Sequence, residues 1–344
     1  MTSYKGFDED LKGRDFQFEI GKTYTHEGPV VVCESGFHAC QNPWDVLSYY
    51  NIVDSRFCVV EQSGEIQKQA ADSKIASASI TISAELTLPE FVKVCVNWLL
   101  KSCSADTVAA SGDSSRLAAS GDGSRLAASG YSSRLAASGD GSRLAASGDG
   151  SQLAASGYGS HLAASGDGSR LAASGDGSQL AASGYGSRLA ASGAYSRLAA
   201  SGAYSRLAAS GDGSQLAASG DGSQLVASGY GSQLAASGYG SQLAASGYGS
   251  HLAASGDGSR LAASGDGSRL AASGDSSRLA ASGDGSLVMG AYNSRAKAGP
   301  NGAVALAWHD GQRPRIAVGY VGETLKADTW YQLDGKGNFV EDAK

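Results

Sequence analysis

The sequence predicts a mainly β protein: a parallel β-solenoid preceded by an α/β cap domain and followed by a small β cap. Three observations lead there. The nine letters SGDGSRLAA, at residues 255–263, recur with small changes through the middle of the chain. That middle is rich in Gly, Ser and Ala, and only 17% of the whole chain is charged. Trp and Phe fall outside this middle, at the two ends. Scarce Pro (5 residues) and the lack of a Gly-every-third pattern exclude collagen, and the low charge argues against a disordered polyelectrolyte.

Counted from the Ser before each recurring Gly, the units begin every nine residues from Ser111 to Ser282, which makes 20 starts, the last running into LVMGAYN. Positions one, two and five are Ser, Gly and Ser throughout; position seven is Leu until the last unit, where Val288 takes it. Positions eight and nine are Ala in the earlier units, except for Val226 at position eight. Variation concentrates at position three (Asp, Tyr, Ala), four (Gly, Ser, Tyr) and six (Arg, Gln, His, and Leu287 in the last unit). Nine residues are two and a half helical turns, which would swing an apolar face round with every copy, so a helical repeat is excluded. A strand S-x-L-A-A-S followed by a turn fits. Alternation puts Ser115, Leu117 and Ala119 on one face and Arg116, Ala118 and Ser120 on the other. Gly supplies the positive φ that a tight corner needs.

Stacking buries each Leu against the next, worth roughly 1.5–3 kcal/mol per Leu before entropy, and no unit can do this alone. The inward Ser hydroxyls then need ladder hydrogen bonds. Two units per coil give an 18-residue coil whose thin core suits Ala and Ser, with about ten coils rising ~48 Å at ~4.8 Å per rung. Three units give a 27-residue triangle, favoured by the rhythm Asp113, Asp122, Tyr131 and its two successors, which breaks at Ala194. Two units per coil is the expectation.

The ends read as caps for the raw sheet edges. The predicted division is 1–103 for the N-terminal domain, 104–287 for the solenoid and 288–344 for the C-terminal cap. FQFEIGKTY, RFCVVEQSGEI and SASITISAELTL read as strands and NPWDVLSYY as a short helix. PEFVKVCVNWLL reads as an amphipathic helix laid against the first rung, and SADTVAA as that rung. AVALAWHD, RPRIAVGYVGE and TWYQLDGKGNFVE, with a turn at Asp334-Gly335, read as the C-terminal strands.

The net charge of −6 is uneven: residues 1–110 hold 15 acidic and 9 basic side chains, residues 111–286 hold 12 and 11, and residues 287–344 hold 6 and 7. The repeat therefore lacks the bulk charge of a nucleic-acid binder or of a DNA mimic. Five Cys, all before the repeat, favour a reducing compartment. No apolar run approaches 18 residues and no signal stretch opens the chain, so a soluble cytoplasmic protein is expected.

Two columns are candidate binding residues. Arg116, Arg125, Arg134 and Arg143 present a cationic surface to an anionic partner, or else a solubilising face paired with nearby Asp. Tyr230, Tyr239 and Tyr248 form an aromatic ladder, or else shield a turn. Calcium fails, and the position-three Asp reads as a solvated turn residue: aligned with the repeats-in-toxin nonapeptide, Arg116, Arg125 or Gln152 stands where a liganding Asp belongs, and position three is Tyr or Ala in 8 of 20 units. In CESGFHAC the spacing of Cys33, His38 and Cys40 matches no common zinc pattern. No cofactor and no metal is expected.

Several resemblances follow from these motifs. GYGS, as at Gly238–Ser241, resembles ice-nucleation repeats, though the array lacks the Thr ranks of ice-binding solenoids; the solenoid as a whole is similar to trimeric adhesin heads, which need export. GFHACQNPWDVLSYYN followed by RFCVVEQSGEI resembles ADP-ribosyltransferase-like folds over about 35 residues, with Glu61 and Glu65 as the nearby acidic candidates. The combination of KGFDEDLKGRDFQFEIGKTY, CESGFHACQNPWDVL, the array and the tail AVGYVGETLKADTWYQLDGKGNFVE resembles a family found mostly in phages and prophages of gut bacteria. That resemblance implies the cytoplasm of a bacterial host and carries over no activity and no functional residues. The expected function is a non-enzymatic repetitive surface for a host or phage macromolecule or for self-assembly into a homo-oligomer, with no membrane partner. Two rivals stay open: a counter-defence protein engaging or mimicking nucleic acid, and an enzyme in residues 1–103 with the repeats as spacer.

Overall fold

The structure, a computed structural model, describes residues 1–13, 16–52, 54–68, 73–102 and 108–342, with backbone only for 99–102. It divides into two compact units, Met1–Ser102 and Cys103–Lys344.

In the second unit every repeat from Ser111 to Ala281 contributes one four-residue strand at its positions six to nine. Following β8 (Val108–Ala110), these are β9 (Arg116–Ala119), β10 (Arg125–Ala128) and so on at nine-residue steps to β27 (Arg278–Ala281). Consecutive strands lie in different sheets. Even-numbered strands form one parallel sheet and odd-numbered strands the other, each thirteen strands long once the C-terminal strands are included. Partners are eighteen residues apart, Leu126 on Leu144 on Leu162, so one coil is two units, as the sequence predicts.

The alternation also holds. From Leu126 to Leu279 the position-seven Leu residues are at most 2% exposed, and the position-nine Ala residues line the core beside them. The position-five hydroxyls find a different partner from the expected ladder. Each donates to the Gly carbonyl three residues earlier in its own turn, as Ser187 Oγ does to Gly184 O at 2.8 Å, so the buried group is satisfied locally. Ser115 and Ser124 make the same bond.

The two recurring glycines are needed for different reasons. Position four has positive φ in every complete unit; Gly186 sits at +64°, and Ser132, Tyr195 and Tyr204 accept the same region. Position two is a matter of space: a Cβ on Gly184 would lie 2.2 Å from the carbonyl oxygen of Gly166, one coil below. Turns are also tied from coil to coil. The Asp at position three accepts the N–H of position three in the next coil, as Asp167 Oδ1 does from Tyr185 N at 2.8 Å, instead of standing simply solvated.

The array ends by reversing direction. β28 (Leu287–Gly290) and β29 (Arg295–Lys297) continue the two sheets in parallel, and β30 (Ala303–His309) adds one more parallel strand to the even sheet. Then β31 (Pro314–Tyr320) folds back antiparallel on β30. Likewise β32 (Tyr331–Leu333) pairs antiparallel with β29, and β33 (Phe339–Glu341) with β32. Bulk replaces small residues here: Tyr331 packs edge-on to Phe339, ring centroids 6.1 Å apart, and the Trp308 ring lies where a Cβ of Gly337 would be. Asp310 closes the β30–β31 turn by accepting the N–H groups of Gln312 and Arg313, both at 2.8 Å.

The first unit is a small antiparallel sheet with two helices. Its strands are β1 (Thr2–Phe7), β4 (Thr23–Thr25), β5 (Phe37–Cys40), β6 (Arg56–Lys68) and β7 (Lys74–Leu86), beside a small ribbon of β2 (Lys12–Gly13) and β3 (Phe16–Gln17). The order is β4-β7-β5-β1-β6, and β6 pairs again with β7, so the sheet curls back on itself. FQFEIGKTY is not one strand: it breaks between β3 and β4, where Gly21 turns at φ +83° and donates to Ile82 O. Helix α1 (Pro43–Val46) starts where expected, with Asn42 accepting from Trp44 N at 3.1 Å. Thr87 and Glu90 cap α2 (Leu88–Ser102). Of the predicted first rung, Ser104–Thr107 lie outside the described residues and Val108–Ala110 form β8.

The two kinds of glycine predict unequal costs. Gly184→Ala, which must push coils apart, should lower stability by about 3 kcal/mol. Gly186→Ala, with nothing within 4 Å of the added Cβ, should cost about 1 kcal/mol of backbone strain. Denaturant midpoints of the two variants check the ranking; equal midpoints contradict the coil-contact argument.

Candidate macromolecular interface

Because the coil is two units long, every repeat column splits in two. Arg116 and Arg134 are in-register neighbours on the outward face of the odd sheet, and Arg125 and Arg143 on that of the even sheet. The structure therefore does not bring the four together. The odd column runs Arg116, Arg134, Gln152, Arg170, Arg188, Arg206, Gln224, Gln242, Arg260, Arg278, Arg295: eight cations and no anion. Among the described residues, none of its members from Arg116 to Arg278 makes an ion pair with a turn Asp, whose carboxylates face the coil above instead. Arg295 pairs with Asp342 at 2.7 Å.

Beside this column runs the position-eight column, a ridge of Ala from Ala118 to Ala280 broken only by Val226, which is 51% exposed. Two grooves flank the ridge. One, of about 840 Å³, is walled by the Arg and Gln stems; the other, of about 1000 Å³, is walled by Ser138, Ser156 and their successors. The result is an exposed apolar ridge with a positive border along one side.

The aromatic column is divided in the same way. Tyr230 and Tyr248 sit in turns before even strands and stack, with centroids 5.1 Å apart and planes within 17°. Tyr239 precedes an odd strand and lies on the other edge, so three tyrosines make a pair and a single ring. The Asp-Asp-Tyr rhythm has the same effect, because a period of three units laid on a coil of two sends successive tyrosines to alternate edges.

The first unit holds a pocket of about 720 Å³ lined by Phe16, Phe37, Tyr49, Tyr50, Lys5 and Lys74 among others. Lys5 Nζ donates to His38 O at 3.0 Å and lies 5.8 Å from the Tyr50 ring centroid; Lys74 Nζ is 4.4 Å from that of Tyr49. Burial works to lower the Lys74 ammonium, and hydrogen bonds to Tyr49 and Cys33 outweigh it, leaving its pKa raised. His38 Nε2 accepts the Cys33 N–H at 2.8 Å, which holds that nitrogen unprotonated. The lining carries two ammonium groups, Lys5 and Lys74, and two imidazoles, His26 and His38, beside one carboxylate, Glu34. Glu61 lies elsewhere, hydrogen-bonded to Thr2 and paired with the N-terminal ammonium at 3.4 Å, and Glu65 is an exposed strand residue. Among the described residues, no cluster of three His, Cys, Asp or Glu is placed to hold a metal ion.

A family model described as a domain of unknown function (DUF7666) matches residues 1–94. No curated protein and no solved structure matches the chain. Among the described residues, no helix is long and apolar enough to cross a membrane. The chain is thus a β-solenoid repeat protein carrying an N-terminal domain of unknown function.

The thiols give a direct check on the first unit. Cys33 is exposed, whereas burial, reinforced by Glu85, pushes Cys58 from 9.0 to about 12, and burial alone raises Cys95. In the native protein Cys33 should alkylate readily while Cys58 and Cys95 stay silent even at pH 10. A thiol pKa raised by folding stabilises fully below the unfolded value, so this contribution should fade as pH climbs from about 9 towards 12. Mass-mapped alkylation across that range tests both points.

Proposed function

We propose that this protein is a non-enzymatic binding scaffold whose odd sheet takes an extended anionic macromolecule, the array setting the length of contact. The observation behind this reading is the single-sign Arg and Gln column beside an exposed Ala ridge, repeated at every coil of the odd sheet. In-register Arg residues on a rigid sheet are already ordered, so a partner laid along them loses little of their freedom. Polyanion binding by such a column releases counterions and is strongly salt-dependent. The setting we propose is a bacterial cytoplasm carrying a phage or prophage, on the resemblance of both ends to proteins found there.

The test compares Arg170→Gln/Arg188→Gln/Arg206→Gln with Arg125→Gln/Arg143→Gln/Arg269→Gln, using a single-stranded DNA oligomer and poly-glutamate as probes. The odd-sheet set should weaken binding and flatten the slope of log affinity on log salt by about 2, with the even-sheet set changing it far less. Preference between the probes assigns the partner's class. Equal effects of the two sets, or no binding of either probe at low salt, would overturn the reading.

The pocket of the first unit favours a second reading, in which that unit holds a small ligand and the repeats are a spacer. Aromatic walls with an excess of cationic groups suit a planar group bearing a phosphate or carboxylate. A nucleoside monophosphate should quench tyrosine fluorescence saturably, and Lys74→Met should weaken it about tenfold at unchanged melting temperature. Equal quenching by the uncharged nucleoside would remove the role given to the cations.

A further inference from the structure

The even sheet ends on β31, and among the described residues β31 is paired on one side only. Its backbone parity follows from two bonds. Ala303 N donates to Ser286 O, so Ala303, Ala305 and Ala307 point their peptide groups at β28 and their neighbours point theirs at β31. Val321 N donates to Gly302 O, so Gly319, Ala317 and Arg315 face β30 and Tyr320, Val318, Ile316 and Pro314 face outward. At the outward edge Tyr320 is already occupied: its N–H donates to Thr324 Oγ1 at 3.0 Å and its carbonyl accepts from Leu325 N at 3.0 Å. Pro314 has no N–H to give. The edge that remains consists of the N–H and C=O of Ile316 and of Val318, with the Pro314 carbonyl beyond them.

Those two residues also carry exposed apolar side chains, Ile316 at 69% and Val318 at 51%, beside Tyr320 at 52% on the same face. Two strands inward, Leu287 and Met289 continue that face at 46% and 55%. Lys, bulges and inward charges usually blunt such an edge; here only its ends are blunted, by Pro314 and by the Thr324 hydroxyl.

An antiparallel second copy of β31 matches this edge in one register. With the two-fold axis through Ala317, Ile316 faces Val318 of the other copy, twice over, giving four backbone hydrogen bonds and two apolar cross-strand pairs. Pro314, which lacks a donor, then faces Tyr320, whose donor is taken. Arg315 faces Gly319, so no like charges meet. Centring on Val318 instead would require the occupied groups of Tyr320, and centring on Ile316 would set Pro314 against the Val318 carbonyl and leave it without a donor. We propose that β31 is a homotypic docking edge through which two copies of this chain join their even sheets into one continuous sheet. So short a seam is a weak, reversible contact of the kind seen in small interfaces.

Sedimentation velocity over a concentration series is the test, on the full chain. The wild type should pass from monomer to dimer in the micromolar range. Val318→Pro, which removes an outward N–H and no bond to β30, and Ile316→Lys/Val318→Lys should both stay monomeric with melting temperatures unchanged. Register is read separately in a Cys33→Ser background: Ala317→Cys, self-paired at the axis, should form a disulfide-linked dimer on mild oxidation, and Ile316→Cys should not. A wild type monomeric at 100 µM or above, dimers that survive both edge variants, or equal cross-linking of the two cysteines would each overturn the proposal.

Discussion

The solenoid depends on how closely one backbone lies above the next. At each corner a Gly α-carbon sits against the Gly carbonyl of the coil below, with no room for a methyl group. Such contact is possible only if successive coils superimpose, and superposition requires the same residue at the same place every eighteen positions. The invariance of positions one, two, five, seven and nine follows from this. The Leu stack, the Ser hydroxyl folded back on its own turn and the turn Asp reaching the next N–H are each a way of living at that spacing. Freedom survives mainly where side chains leave the stack, at positions three, four and six, and those positions do most to give the two faces and two edges their character.

Most of the array was legible because its physics is periodic. Alternation assigns Leu117 and Ala119 inward and Arg116 outward without any tertiary information, and a thin core of Leu, Ala and Ser fits two units per coil better than three. What was missed had a signal too. Writing odd and even repeats separately shows that Arg116, Arg134, Arg170, Arg188 and Arg206 share one sheet, and that Tyr239 cannot join Tyr230 and Tyr248. The Asp contact to the next coil was missed for a different reason. Position three looks like solvated turn chemistry in one unit, and only the vertical stacking reveals an acceptor eighteen residues from its donor.

The ends were legible as elements and much less so as an arrangement. Strand and helix patterns located β6, β7, α1 and α2 well, since each is long or carries a local start signal such as Asn42 or Thr87. The pocket of the first unit draws on β1, β5, the residues after α1, and Lys74 at the start of β7, segments that no spacing rule connects. Nor could sequence show that the sheet curls back through β6–β7 pairing, because β7 has partners on both sides along part of its length.

The two-unit coil also constrains how such a gene changes length. Removing or adding eighteen residues shortens or extends the stack and leaves every downstream side chain on its own face. Removing nine turns everything beyond the lesion over: the arginine column would continue on the opposite sheet, the tyrosine edges would exchange, and β28 would have to complete the wrong wall. Viable variants should therefore differ by even numbers of repeats, making the parity of the count, more than the count itself, the inherited quantity.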